Sequence, residues 1–193
     1  MLKINAKFLT SAASKSQFLP PDKPQIAVCG KSNVGKSSFI NMLAGQKKLA
    51  KVSKDPGRTR LINYFDYGDF ILDDLPGYGY AKVSKGEKDK WARLLDDFFA
   101  QEGAISHVFA LVDGRHEPTA NDVQMVDFLN FNRIPFTVIV TKADKLSKAQ
   151  LSRNMTAIAA SLKCGVGNLI ATSSETRYGY NEVLDKIEHI INL

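Results

Sequence analysis

Cysteine is nearly missing from this sequence. Cys29 lies in an apolar run, Cys164 lies in a Gly-flanked turn, and the 193 residues hold no third. Two isolated cysteines offer neither metal-ligand spacing nor a disulfide framework, so both are expected as free thiols in a reducing cytoplasm. Long apolar runs are missing too, with no segment near the roughly 18 residues of a membrane span. Charges interrupt the opening Met1-Leu-Lys-Ile-Asn-Ala-Lys7 before any apolar core that a secretory signal needs. The reading is therefore of a protein with no membrane association and no export. Acidic residues are scarce in one region: residues 1–60 carry twelve Lys or Arg against Asp22 and Asp55 alone, a balance of +10. The net charge is +6, so the remainder sums to −4. Such a pole serves an anionic ligand, a polyanionic partner such as RNA, or both.

What is present has the composition of an ordinary globular domain, 44% hydrophobic and 24% charged, long enough to bury one core. Residues 1–24 mix short apolar pieces with Ser, Lys and Pro20-Pro21-Asp22-Lys23-Pro24, and read as an N-terminal arm or edge piece. The domain proper is expected over residues 25–193. There, apolar strand patterns at Ile26–Cys29, Phe70–Leu72, Val108–Val112, Phe136–Val140 and Leu169–Ala171 alternate with helical segments such as Ser37–Ala44 and Lys88–Gln101. Alternation of this kind predicts an α/β fold with right-handed crossovers. Leu61–Phe65 reaches the next strand through Asp66-Tyr67-Gly68-Asp69 alone, a turn short enough to require a hairpin. The expectation is a mostly parallel six-stranded sheet with one antiparallel strand and helices on both faces. Ligands bind such sheets outside the carboxyl ends of the strands.

Chemistry-bearing motifs fall at those ends. Gly30-Lys31-Ser32-Asn33-Val34-Gly35-Lys36-Ser37 matches G-x-x-x-x-G-K-[ST], with a strand before it and a helix after it. Its glycines let successive backbone N–H groups and the helix N-terminus face phosphates. Lys36 is expected to reach the β and γ phosphates and Ser37 to ligate Mg²⁺, while Ser38 borders the loop and reads otherwise as a plain helix residue. Asp74-Leu75-Pro76-Gly77 supplies D-x-x-G. Its spacing makes Asp74, and not Asp73, the acid that holds Mg²⁺ through water, and it puts the Gly77 N–H on the γ phosphate. Between these motifs runs a polar, turn-rich stretch containing Pro56-Gly57-Arg58-Thr59. Thr59 is the candidate that completes the Mg²⁺ shell, and Ser53 is the competing hydroxyl. Lys36, Thr59 and Gly77 are thus the expected catalytic set.

Thr141-Lys142-Ala143-Asp144 ends a later strand. A carboxylate there can accept both N1–H and the 2-amino group of guanine, a donor pair that adenine lacks. The Lys142 stem is expected to pack over the base and tie back to the phosphate loop. Thr172-Ser173-Ser174 can offer backbone N–H groups to guanine O6, with Ser173 the first choice. A P-loop ATPase or kinase would share Gly30–Ser37 without needing Asp144 or Ser173. A nucleotide-gated RNA-binding module would share every motif and hydrolyse nothing.

With these motifs the chain resembles Ras-like P-loop GTPases, and most closely the bacterial EngB/YihA/YsxC family of ribosome-biogenesis GTP-binding proteins. The resemblance covers nearly the whole chain, and Asp74-Leu-Pro-Gly-Tyr-Gly-Tyr-Ala81 is its most specific string. Members usually carry glutamine after the switch threonine and often threonine before Pro56, where this chain has Arg60 and Asp55. The resemblance implies hydrolysis of GTP to GDP and phosphate with Mg²⁺ in a cytoplasmic monomer. It also implies that the partner is the large ribosomal subunit or its precursor, with ribosomal RNA and proteins. The RNA-facing residues expected are Lys47, Lys48, Lys51, Lys54, Arg58 and Arg60. Tyr78 occupies the place of the water-orienting glutamine of Ras-like enzymes, so slow turnover is expected unless a partner or cation assists. Tyr78 and Tyr80 read equally well as packing residues. Asn33 stands where potassium-activated GTPases hold K⁺, and its alternative role is hydrogen bonding within the loop.

Overall fold

The computed structural model describes residues 4–51, 61–79, 85–101 and 103–192. Seven strands form one sheet: β1 (Lys7–Ala12), β2 (Gln25–Gly30), β3 (Ile62–Asp66), β4 (Ile71–Asp74), β5 (Ile105–Asp113), β6 (Phe136–Thr141) and β7 (Leu169–Ala171). Among the described residues five α-helices accompany them: α1 (Lys36–Ala44), α2 (Lys85–Phe99), α3 (Ala120–Phe131), α4 (Lys148–Ser161) and α5 (Tyr180–Ile191). The strand order is β1-β3-β4-β2-β5-β6-β7. Only β3 runs against the rest, antiparallel to both of its neighbours, while every other ladder is parallel.

The expected count of six strands is corrected to seven. The seventh, β1, comes from the N-terminal arm, where Phe8 packs edge-on against Phe65 at 5.8 Å and the Ser11 hydroxyl donates to Asn63 at 2.7 Å. Its pairing slips between Phe8 and Thr10, and most of its side chains stay partly exposed, which blurs the alternation that marks a strand. The hairpin forms as expected. The Asp66 carboxylate accepts the Gly68 N–H at 2.9 Å, Tyr67 N–H donates to Phe70 O, and the Tyr67 hydroxyl anchors the turn on Ile40 O at 2.8 Å.

Every residue of β2 is buried, as expected for a central strand covered on both faces. Ile26 and Val28 join Phe39, Leu43, Val183 and Ile187 under α1 and α5, while Ala27 and Cys29 join Leu95, Phe98, Met125 and Leu129 under α2 and α3. Each large apolar side chain so buried contributes about 1.5–3 kcal/mol. Burial pushes the Cys29 thiol up to about 12, so it stays protonated and inert, and both cysteines are free. Stiff central strands thus end together at one edge of the sheet, and the loops that carry chemistry begin there. Among the described residues no helix is long and apolar enough to cross a membrane.

Candidate functional site

β2 stops at Gly30, and α1 starts at Lys36 after one tight loop. Gly35 caps the helix at φ 109°, a conformation that side chains with a Cβ disfavour. Asn33 takes φ 65°, tolerable for asparagine, and is exposed. The amides ahead of Phe39 have no partner within α1, the ordinary condition of a helix N-terminus that faces an anion.

The loop after β4 lies alongside this one. Leu75 N–H donates to Val28 O at 3.0 Å, Tyr78 N–H to Gly30 O at 3.3 Å and Ser32 N–H to Tyr78 O at 3.0 Å, extending the parallel pairing beyond the sheet. A Cβ on Gly77 would stand 3.2 Å from Ser32 Oγ and 3.4 Å from Gly30 O, so a larger residue there would push the two loops apart by a few tenths of an ångström or turn the Ser32 hydroxyl aside. The pleat then divides two adjacent acids. Asp74 pairs with Lys36 at the mouth of the loop, whereas Asp73 is fully buried with both carboxylate oxygens unpartnered among the described residues. Of the two acids, Asp74, the one expected to hold Mg²⁺, faces the phosphate loop, and Asp73 faces the interior. Lys36, Ser37, Asp74, Leu75, Pro76 and Gly77 share a cavity of about 690 Å³ that also takes in Ser32, Asn33, Ser38 and Lys142.

Tyr78 turns the other way. It is buried, its hydroxyl donates to Asp122 at 2.8 Å, and burial holds its phenol far above the usual range, with Cys29 and Asp122 adding to the shift. The Asp122 carboxylate also accepts from Thr119 N–H at 2.7 Å and Thr119 Oγ1 at 2.6 Å, closing the start of α3. Trp91 of α2 donates its indole N–H to Pro76 O at 3.3 Å and meets Tyr78 edge-on at 6.4 Å. Trp91, Thr119 and Asp122 escaped the motif reading because none of them belongs to a phosphate-loop pattern.

At the end of β6 the Thr141 hydroxyl faces Val34 O at 2.7 Å and Val112 O at 3.1 Å. Lys142, at φ 62°, donates to Asn33 O at 2.9 Å and to Asp113 Oδ2 at 2.8 Å, so the expected tie to the phosphate loop is present. Asp144 Oδ1 accepts the Ser173 hydroxyl at 2.7 Å, and Oδ2 pairs with Lys145 at 2.9 Å. The Lys145 bond first and the Ser173 bond second hold the Asp144 carboxyl below its usual range, so it is ionised at neutral pH. Ala143 N–H donates to Thr172 O at 3.0 Å, locking this turn to the end of β7. Ser173 N–H is engaged by Tyr178 O at 3.1 Å, so its contribution here is the hydroxyl on Asp144 rather than an open amide. Pro56, Gly57, Arg58 and Thr59, together with Ser53, Lys54, Asp55, Arg60 and Tyr80, lie outside the described residues.

A phosphate loop after β2, a D-x-x-G loop against it and a guanine-type acid after β6, all at one sheet edge, define a P-loop GTPase. Comparison with known proteins narrows the class. Residues 25–142 match the family described as 50S ribosome-binding GTPase. The Probable GTP-binding protein EngB of Streptococcus thermophilus is 44% identical over 185 residues, 95% of this chain and 93% of that protein. The one from Streptococcus pneumoniae strain Hungary19A-6 is 42% identical, covering 95% of each. A crystal structure of a probable GTP-binding protein engB superposes with TM-score 0.73 at 25% identity, covering 87% of this chain and 98% of that one. A point variant of Aquifex aeolicus Era bound to GDP·AlF4⁻ shares the fold, with TM-score 0.70 at 19% identity over 86% of this chain and 56% of its own. The chain belongs to the EngB family of GTP-binding proteins.

Proposed function

We propose that this GTPase is a nucleotide-controlled switch in assembly of the large ribosomal subunit, cytoplasmic and monomeric. The observation that supports it most is the direct stitching of the D-x-x-G loop to the phosphate loop, from Leu75 to Tyr78. A contact made by Gly77 to a γ phosphate is thereby transmitted to Tyr78, Trp91 and α3. The matched family's description as ribosome-binding and the +10 balance of residues 1–60 support the choice of partner. Era, a structural neighbour, has been solved with MgGDPNP and nucleotides 1506–1542 of 16S ribosomal RNA.

In this reading the amides of Gly30–Ser38 cradle the phosphates and Lys36 exchanges its ion pair with Asp74 for the β and γ phosphates. The donors fit Mg²⁺, a hard cation that takes oxygen ligands: the Ser37 hydroxyl, the Asp74 carboxylate through water, and Thr59. Mg²⁺, when bound, neutralises charge on the β and γ oxygens. Water attacks the γ phosphorus, the bond to the β–γ bridging oxygen breaks, and GDP and phosphate leave. Asp144 accepts N1–H and the 2-amino group, Lys142 covers the ring, and the Thr172–Ser174 turn faces O6, with Ser174 supplying the amide that Ser173 has committed elsewhere. Tyr78 supplies no water-orienting amide, so intrinsic turnover is slow. K⁺ beside Asn33 would supply the missing positive charge. Equal hydrolysis in Na⁺ and K⁺ at matched ionic strength would exclude that ion. Co-sedimentation with ribosomal subunits under GDP and a non-hydrolysable GTP analogue tests the switch, and equal binding in both states refutes it.

A further inference from the structure

No motif marks Asp113, yet among the described residues its carboxylate accepts four hydrogen bonds at this edge of the sheet. It ends β5, directly across the ladder from Thr141. Its Oδ1 accepts the Arg115 N–H at 3.1 Å and Arg115 Nε at 2.9 Å, while its Oδ2 accepts Arg115 Nη2 at 2.8 Å and Lys142 Nζ at 2.8 Å. Burial alone would raise its carboxyl, but the bonds from Arg115 and Lys142 outweigh it and hold the group well below the usual range. The turn that presents it is rigid. Gly114 N–H donates to Thr141 O at 3.0 Å, Asn154 Nδ2 donates to Gly114 O at 2.7 Å, and a Cβ on Gly114 would stand 2.9 Å from Thr141 O.

We propose that Asp113, oriented by Arg115, is a positioning residue for Lys142 and so sets how tightly the nucleobase is held. The inference rests on the assignment of Lys142 to the base. A lysine stem has four rotatable bonds, and covering a ring with it costs much of its rotamer freedom. Here the ammonium is fixed from two sides, by Asn33 O of the phosphate loop and by the Asp113 carboxylate, so the stem is held at its far end before any base arrives. Asp113 alone could rotate to other donors. The two-pronged grip of the Arg115 guanidinium, whose plane matches a carboxylate, removes that freedom and leaves the outer side of Oδ2 for Lys142. Lys142 touches the face of the base and not its edge, so this device strengthens binding without choosing among purines, a choice left to Asp144.

The test measures release of fluorescent mant-GDP and competition by GDP and IDP, which differ only in the 2-amino group. Wild type must bind mant-GDP; a wild type that does not overturns the site assignment and this inference with it. Asp113→Asn keeps the shape and removes the charge, and is expected to release mant-GDP about tenfold faster, weakening GDP and IDP alike with their ratio unchanged. Lys142→Met keeps the apolar stem and should give a similar factor. The double variant should again give about tenfold, not the hundredfold of independent effects. Arg115→Gln, at an exposed side chain, is expected to give about threefold and to lose that effect on the Lys142→Met background, which covers the case of an Asp113→Asn protein that does not fold. Release from Asp113→Asn within about twofold of wild type, full additivity with Lys142→Met, or a changed GDP to IDP ratio overturns the inference while leaving the nucleotide site standing.

Discussion

The Tyr78 hydroxyl donates to Asp122 Oδ1 at 2.8 Å inside the protein, joining the loop that follows Asp74 to the first turn of α3. Asp122 is already committed to Thr119 through its other oxygen, so the three residues form one network, buried at Tyr78 and Asp122 and half-buried at Thr119. Tyr78→Phe would strand one oxygen of a buried carboxylate, and the expected cost is about 1–3 kcal/mol of unfolding free energy, read by urea denaturation. GTP hydrolysis should stay within roughly twofold, because the hydroxyl points away from the phosphate cavity. A large fall in turnover at unchanged stability would restore a direct catalytic role.

Trp91 is the single tryptophan of the chain, and its indole is bonded to Pro76 O, two residues from Asp74. Its fluorescence should therefore report the D-x-x-G loop. Emission is expected to differ between the GDP complex and the complex with a non-hydrolysable GTP analogue. Identical spectra would mean that Pro76 does not move when the γ phosphate is present.

Much of this architecture could be read from the chain because fully buried parallel strands are written as unbroken apolar runs, as at Val108–Val112 and Phe136–Val140. The hairpin was legible from Asp66 to Asp69, and motif spacing singled out Asp74, which the pleat turns towards Lys36 while it turns Asp73 inward. β1 was not legible as a strand, since a half-exposed edge with a slipped register shows little alternation. Asp113, Arg115 and Asp122 were illegible for another reason: their roles come from contacts between elements 29 to 44 residues apart, or from a turn that only the fold brings to Lys142. Asp113 lies at a strand's carboxyl end, and that position was the one available hint. Motif position pointed to Ser173, but the fold commits its amide to Tyr178 O and turns its hydroxyl to Asp144, a pairing that spacing alone does not show.

Guanine selection should rest on Asp144, an ionised acceptor steadied by Lys145 and Ser173. Asp144→Asn replaces one acceptor by a donor, which opposes the 2-amino group of guanine and suits the 2-carbonyl of xanthine, while the remaining amide oxygen still accepts N1–H. Affinity for GDP is expected to fall by about a hundredfold or more, with XDP becoming the preferred ligand. If the variant still prefers GDP over XDP, the base pocket lies elsewhere.

His107 of β5 is buried, 3.0 Å from Thr137 Oγ1, and burial, with a further push from Lys186, lowers its imidazole to about 4. A folded value below the ordinary ~6.5 means the fold favours the neutral ring. Its contribution is therefore complete above about pH 6.5 and is lost as pH falls from there towards 4. His107→Gln removes the titration. The stability difference between wild type and variant should shift against wild type by about 2–3 kcal/mol between pH 7 and pH 4, measured by urea denaturation at both. A difference that does not change with pH would show that the ring is charged or solvated in the native state.

Lys47 and Lys48 are exposed on the loop after α1, a loop pinned from within by Asn41, whose side chain accepts Ala50 N–H at 2.7 Å and donates to Ala50 O at 2.9 Å. The loop is thus rigid at its root and charged at its tip, the arrangement that lets phosphate contacts form with little loss of backbone freedom. Neither lysine lines the phosphate cavity, which Lys31, Lys36, Lys51 and Lys142 do. Contacts from Lys47 and Lys48 to ribosomal RNA would release counterions on binding, so affinity should fall steeply with salt. Replacing both by Gln is expected to weaken binding to large-subunit particles and to reduce the slope of log affinity against log salt by about 1.5, while GDP affinity stays as in wild type. Removing charge without touching the nucleotide should also preserve the ratio of particle affinities between the GTP-analogue and GDP states, because that ratio depends on the switch and not on the lysines. An unchanged salt slope would place the RNA contact on another face of the protein, and a lost ratio would place these lysines within the switch itself.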